Sequence, residues 1–467
     1  MGTISDKLMR IINTKEDIRQ ALISKGYDVP TSIPFKEYAK MISDLPCRVD
    51  SFPDIEGIVA RYSALGLTNE QMAANPVWVD KTGNGHDLQM KNFAWKEGSG
   101  ISDIYPGALV FDGVDDWAGC DNLPLLPKEK GYSIIALRNW ITRYDATQYK
   151  RPLISNLDTN DEGAFLIEYR KDENVNDVTG SYNSFTDVYI DDNNPITWQT
   201  SSSYNGQIIK KGTSKSSNKL CICKTYFGQL SNYANAAIWE IVILDHDATE
   251  EELTKIKDYF VKTYPWLFPD QAWTVTGKTN EDEDRATIAN ITGNGNDLVL
   301  SNFGFAEGSG YNEEGEYAGY LVTDGVDDKV QSSSYTMNED WTIVGDWELL
   351  SNVQINCGIV KAQNVYLYNT ANGLLISINN PRSLQSFGTK SLHAICSDGR
   401  LYDRNWVEYE YTVDQNFEIV KSSLNIGFNL NNYTQIAFKN LGIYNNQILS
   451  KDDCIKAYNY LQTLKSK

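Results

Sequence analysis

Histidine is nearly absent from this chain of 467 residues: His86, His246 and His393 are the only three. No two are spaced as metal ligands and no HExxH pattern occurs, which excludes the common histidine-based zinc sites. There is no Cys-x-x-Cys pair among Cys47, Cys120, Cys221, Cys223, Cys357, Cys396 and Cys454. An odd number of cysteines without framework spacing reads as free thiols in a protein folded in a reducing cytoplasm. Basic residues are in deficit, 42 Lys and Arg against 62 Asp and Glu, for a net charge of −20. Such a chain repels phosphate backbones and anionic lipid, so neither nucleic acid nor a membrane is an expected partner. No apolar run approaches the ~20 residues that span a bilayer. The N-terminus MGTISDKLMRII has no long apolar core of a secretion signal. Walker-type and dinucleotide-binding glycine patterns are missing as well.

Aromatic residues are plentiful, at 12% with 28 Tyr and 11 Trp, and these favour strands and binding surfaces. They sit in a sequence that repeats itself. DKTGNGHDLQMKNFAWKEGSG, from Asp80, recurs as ANITGNGNDLVLSNFGFAEGSG, from Ala289. LVFDGVDDW, from Leu109, recurs as LVTDGVDDK, from Leu321. Asn84-Gly85 and Asn294-Gly295 are tight-turn dipeptides tolerant of positive φ. Asp112-Gly113 and Asp324-Gly325 lie between apolar runs, as hairpin turns would. Both copies close on a strand followed by a helix, with Thr249/Glu252 and Ser450/Asp453 as caps. Many short, turn-marked strands predict two tandem jelly-roll β-sandwiches, over residues 53–266 and 270–467. Residues 1–46 differ: Thr14/Asp17 resembles a capping box and Pro34 opens a further helix. Three short helices bury too little to be stable alone, so this head is expected to serve attachment or oligomerisation.

Chemistry-bearing patterns are sparse. A strand bearing Glu-x-Asp-x-x-Glu, which would aim carboxylates into one cleft, does not occur. Glu281-Asp282-Glu283-Asp284 is contiguous and reads as a solvated loop. Asp115, Asp116, Asp327 and Asp328 recur in both copies and are candidate calcium ligands; hydrogen bonding within hairpins and loops is the preferred account of them. Trp95, Trp117 and Trp140 are candidate sugar-stacking rings, although core filling is the simpler role for most aromatics. No catalytic residue and no obligate cofactor is expected. The copies differ at His86/Asn296, Trp95/Phe305, Trp117/Lys329 and Cys120/Ser332. The repeated part therefore reads as scaffold, with recognition in divergent loops such as the Ser-rich residues 201–218.

Two resemblances follow from these residues. Lys7-Leu8, Thr14-Lys15, Ile18-Arg19, Lys25-Gly26, Val29, Phe35, Tyr38 and Ile42 resemble a short N-terminal segment of tailed-bacteriophage virion proteins. TGNGHDL, NFAW/NFGF, FDGVDD and the strand-helix ending resemble laminin-G-like, concanavalin-A-like jelly rolls, common in phages and bacteria of the gut Bacteroidales. Together they resemble a head fibre, or tail fibre, of a crAss-like phage. The resemblance implies a non-enzymatic virion protein made in the host bacterial cytoplasm. It would be a homotrimer, held on capsid or tail through residues 1–46, with lectin-like modules adhering to host-surface or mucus glycans. A lectin outside any virion and a polysaccharide-degrading enzyme are the alternatives.

Overall fold

The computed structural model describes residues 52–466, with the exception of 127–131, 143–149, 159–165, 171–183, 187–195, 201–216, 226, 228–231, 351–356, 363–364, 371–372, 379–384, 388–390, 412–420, 427 and 430–431. Before residue 52 it describes Lys15 and Arg19, both helical. The remaining residues expected to form the helical head lie outside the described residues. The chain divides into two compact units, Met1–Pro53 and Asp54–Lys467.

The second unit is mainly β, as the sequence predicts, and holds two separate hydrophobic cores. In the first sandwich Asn235–Leu244 is the central strand of a six-stranded sheet. It pairs antiparallel with Ile58–Ser63, Leu109–Asp112 and Ser133–Thr142 along its length. The facing seven-stranded sheet runs, in order, Ser184–Thr186, Leu166–Arg170, Lys150–Ser155, Leu220–Ile222, Trp117–Cys120, Leu88–Lys91 and Val77–Trp78. The second sandwich repeats this plan with two eight-stranded sheets, and Ile436–Asn445 takes the central place. Each core takes alternate side chains from both facing sheets, such as Leu88 and Met90 against Ile241 and Ile243, as a period-2 pattern requires.

The repeated turn owes its persistence to one polar side chain. Asp80 Oδ1 accepts the backbone N–H of Arg61 (3.1 Å) and Thr82 (3.0 Å) and the Thr82 hydroxyl (2.8 Å). Asn290 Oδ1 does the same for Ala272 (3.1 Å) and for Thr292 N (3.2 Å) and Oγ1 (3.0 Å). Positive φ falls on Gly83 and Gly85, at 78° and 82°, not on Asn84. Asn84 instead donates through Nδ2 to Val59 O at 3.0 Å, tying the turn to the neighbouring strand.

The Asp-Gly turns are not hairpins. Leu109–Asp112 and Trp117–Cys120 belong to opposite sheets, as do Tyr320–Val322 and Lys329–Thr336. Each turn is therefore a corner that carries the chain across the sandwich. The dipeptide reverses the chain locally; which sheet the next strand joins is set by long-range pairing.

Three helices occur among the described residues of the second unit: α1 (Asn69–Ala74), α2 (Glu250–Thr263) and α3 (Lys451–Thr463). Thr249 and Glu252 form the expected capping box of α2, and Ser450 Oγ accepts Asp453 N on α3. The helices α2 and α3 lie where the two sandwiches meet. Trp239 of the first sandwich meets Tyr460 of α3 edge-on at 6.5 Å, and Asn459 Nδ2 donates to Asp103 O at 3.2 Å. Tyr444 of the second sandwich donates to Trp266 O at 2.9 Å in the 3-10 turn Pro265–Leu267 that follows α2.

The start of α2 carries a titratable latch. His246 Nδ1 lies 3.1 Å from Asp245 Oδ1, and its Nε2 lies 3.2 Å from Glu252 Oε1. Burial alone would lower the imidazole pKa, but these two carboxylates outweigh it and hold the value above normal. A raised native pKa adds stability below the ordinary histidine range and loses it as pH rises through the native value. Denaturant titrations from pH 6 to 9 are expected to show this decline, and His246→Gln is expected to flatten it.

Candidate functional site at the acidic corner

The corner at Asp112 assembles side chains from three segments. Asp112 Oδ1 accepts the N–H groups of Val114 (2.8 Å), Asp115 (3.2 Å) and Asp116 (3.3 Å), and Asp116 Oδ2 accepts Asp112 N at 3.1 Å. The second copy matches: Asp324 Oδ1 accepts Val326, Asp327 and Asp328, and Asp328 Oδ2 accepts Asp324 N at 2.7 Å. The buried member of each pair titrates above the usual carboxylate range. Burial pushes both Asp116 and Asp328 up to about 6, against the lowering effect of their hydrogen bonds. Asp115 and Asp327 point outward and are exposed.

These contacts bear on the four calcium candidates. In each copy three carboxylates, Asp112/Asp115/Asp116 and Asp324/Asp327/Asp328, can bring one oxygen apiece within 4.8 Å of one another. Two of the three are already engaged as acceptors for the corner backbone, so loop stabilisation accounts for their recurrence.

A ring-bearing loop abuts the corner. Asn92 Nδ2 donates to Asp115 O at 3.0 Å, and Asn302 repeats this on Asp327 O at 2.9 Å. The loop then carries Phe93 and Trp95. Trp95 is half-buried, has a left-handed backbone (φ 54°), and stacks on Phe93 at 4.9 Å and 17°. Phe93 in turn meets the core residue Phe111 edge-on at 5.0 Å. The aromatic series thus runs from the core to the surface and ends on Trp95. In the second copy Phe305 replaces Trp95, and the Arg285 guanidinium lies over its ring at 5.1 Å. Among the described residues no cation lies over Trp95.

The remaining two tryptophans fare differently. Trp117 follows the corner directly and is half-buried, but Lys224 Nζ lies over its ring at 4.0 Å and Phe227 meets its edge at 5.7 Å. Lys224 also faces Tyr233 at 6.0 Å. Burial lowers its pKa, while burial and then the Asp115 carboxylate raise that of Tyr233. In the second copy Lys329 stands at the Trp117 position and lies over Tyr433 at 5.8 Å. The ring–cation pairing is kept while its members change, which marks Trp117 as part of a structural cage. Trp140 is only 4% exposed and belongs to the first core. Its candidacy as a surface platform is corrected: it shares the strand phase of Ile134 and Ala136, which also line that core. Of the divergent Ser-rich stretch, residues 201–216 lie outside the described residues.

No family model matches this chain, and no curated protein matches it. Solved structures do. The chain is similar to Trypanosoma rangeli sialidase in complex with sialic acid, at 10% identity and a TM-score of 0.30, over 49% of this chain and 41% of that one. Domain 4 of AbnA, an extracellular GH43 arabinanase from Geobacillus stearothermophilus, in complex with arabinotriose, is matched at 15% identity and a TM-score of 0.27, over 40% of this chain and 97% of that one. The binding domain of Paraclostridial Mosquitocidal Protein 1 is matched at 12% identity and a TM-score of 0.25, over 40% and 50%. The chain spans less than half the length of the sialidases. Their presence corrects one expectation: enzymes stand among the matched structures, so the reading of this chain as non-enzymatic is withdrawn. At these identities and scores no activity is assigned in its place.

Proposed function

We propose that the chain binds glycan at the acidic corner of its first sandwich, with Trp95 as the stacking platform and Asp115 as the hydroxyl acceptor. The observation that carries this reading is the half-exposed Trp95 ring. Phe93 braces one face, and no cation among the described residues covers the other. A rigid aromatic face, on a loop that Asn92 ties to the backbone of the exposed Asp115, suits a sugar, whose C–H face stacks and whose hydroxyls donate. The net charge of −20 and the neighbouring aspartates favour neutral sugars over acidic ones. A glycan array probed with the full chain is expected to return neutral oligosaccharides; silence across the array, with and without calcium, would defeat the reading.

The virion setting is part of the same proposal. The resemblance of residues 1–46 to phage attachment segments supports a fibre of a crAss-like phage, trimeric through that head, with both sandwiches displayed outward. Light scattering of the full chain is expected to give a trimer, and removal of residues 1–53 to give a monomer. A monomeric full chain would contradict the fibre reading and leave glycan binding standing.

A further inference from the structure

Cys396 ends the strand Leu392–Cys396 of the second sandwich, and Cys454 lies in the first turn of α3. Both are free thiols with 0% exposure. Each Sγ stands 4.0 Å from one shared acceptor, Leu449 O. Arg400 Nη2 donates to that same carbonyl at 3.1 Å, which places a guanidinium beside the pair. A cleft of about 320 Å³ lies next to the pair, lined in part by Leu449 and by Asp453, the neighbour of Cys454, but by neither thiol.

We propose that Cys396 and Cys454 are a disulfide-forming site, oxidised by a small-molecule disulfide such as oxidised glutathione. Disulfide closure needs two Cβ atoms about 4 Å apart, and two thiols that share one acceptor meet the first condition for that approach. Burial and then the Cys396 side chain hold the Cys454 thiol well above the usual thiol range, against the lowering effect of the Arg400 guanidinium, so the exchange runs through local opening of α3, which exposes the thiol. The Cys454 thiolate attacks one sulfur of the reagent, and one reagent thiol departs. The Cys396 thiolate then attacks Sγ of Cys454 and displaces the second reagent thiol. One Sγ–Sγ bond forms; two protein thiols are oxidised, and the reagent is reduced to two thiols that carry the two protons. The bond ties α3 to the sheet beneath it and so fastens the helical layer between the sandwiches. The two thiols would stay reduced in a glutathione-rich cytoplasm and close in an oxidising exterior.

The full chain would be incubated with oxidised or reduced glutathione, alkylated, digested without reduction and mapped by mass spectrometry. The oxidised sample is expected to yield one cross-linked peptide pair containing Cys396 and Cys454, with a Tm several degrees above the reduced sample. Cys396→Ser is expected to trap glutathione on Cys454 as a mixed disulfide. Two unmodified thiols in oxidised wild-type protein, separate glutathione adducts on the two cysteines, or a disulfide of another pairing would overturn the proposal. The wild-type map decides the question even if Cys396→Ser does not fold.

Discussion

Glu240→Ala is expected to destabilise the first sandwich by about 3–5 kcal/mol, because it leaves a buried guanidinium without its counter-ion. Glu240 is 0% exposed and Arg61 5%. Arg61 Nε donates to Glu240 Oε1 at 2.6 Å and Nη2 to Tyr259 at 2.8 Å, while Tyr264 donates to Glu240 Oε2 at 2.7 Å. The network thus joins two adjacent strands to α2 and to the turn after it. The second sandwich does without it: register places Ala272 opposite Gly442 and Thr274 opposite Asn440, where the first has Arg61 opposite Val242 and Ser63 opposite Glu240. The double change Arg61→Ala with Glu240→Asn imports that solution. It is expected to cost about 2–3 kcal/mol less than the sum of the single changes, because neither charge is left unpaired. Urea melts of the four proteins would measure the coupling, and strict additivity would mean that the ion pair contributes nothing.

Trp273→Ala is expected to cost about 3–5 kcal/mol, and Trp273→Tyr less, because it leaves a smaller cavity beside Ile288. The reason lies in how the two copies fill one space. In the first, Tyr62 meets Trp78 at 5.8 Å; in the second, Trp273 occupies the Tyr62 position and Ile288 the Trp78 position. The larger ring moves to a strand of the facing sheet while the core stays filled. The polar tips agree as well. Tyr62 donates to His86 O at 2.6 Å, and Trp273 Nε1 donates to Asn296 O at 3.0 Å. Only the carbonyl of residue 86 or 296 is used, so that bond survives the exchange of histidine for asparagine. A tyrosine at 273 can keep it; an alanine leaves both a cavity and an unmet acceptor. Equal losses for the two variants would show that the shared carbonyl bond is not what fixes this ring.

Much of the scaffold was legible because its signals are local. The Thr-Gly-Asn-Gly turns and the helix caps are set by side chains within a few residues of the backbone they satisfy, and they stand in both copies. The Asp-Gly corners were misread as hairpins because a turn dipeptide says nothing of which sheet receives the next strand. Trp140 was misplaced on residue type alone, although its phase with Ile134 and Ala136 pointed to the core. The Arg61–Glu240 pair had a visible signal, one charge interrupting each of two apolar strands (IVARYS and IWEIVIL), but its partners are 179 residues apart. Contacts of α3 with the first sandwich, such as Asn459 with Asp103, span 356 residues and left no trace in any local pattern. At the candidate site the roles of Asp112 and Asp324, which organise the corners, emerged only from the structure. Trp95 and Trp117 looked equivalent in sequence, and the ammonium of Lys224 over one of them is what separates them.

The central claim is that Trp95 is the sugar platform. It is tested most directly by titrating the full chain and its Trp95→Ala variant with a neutral oligosaccharide drawn from the array. Loss of the stacking ring is expected to weaken Kd by about ten-fold or more, equivalent to about 1.4 kcal/mol, with a modest fall in Tm because the half-buried ring also packs on Phe93 and the first core. An unchanged Kd in a folded Trp95→Ala protein would contradict the claim.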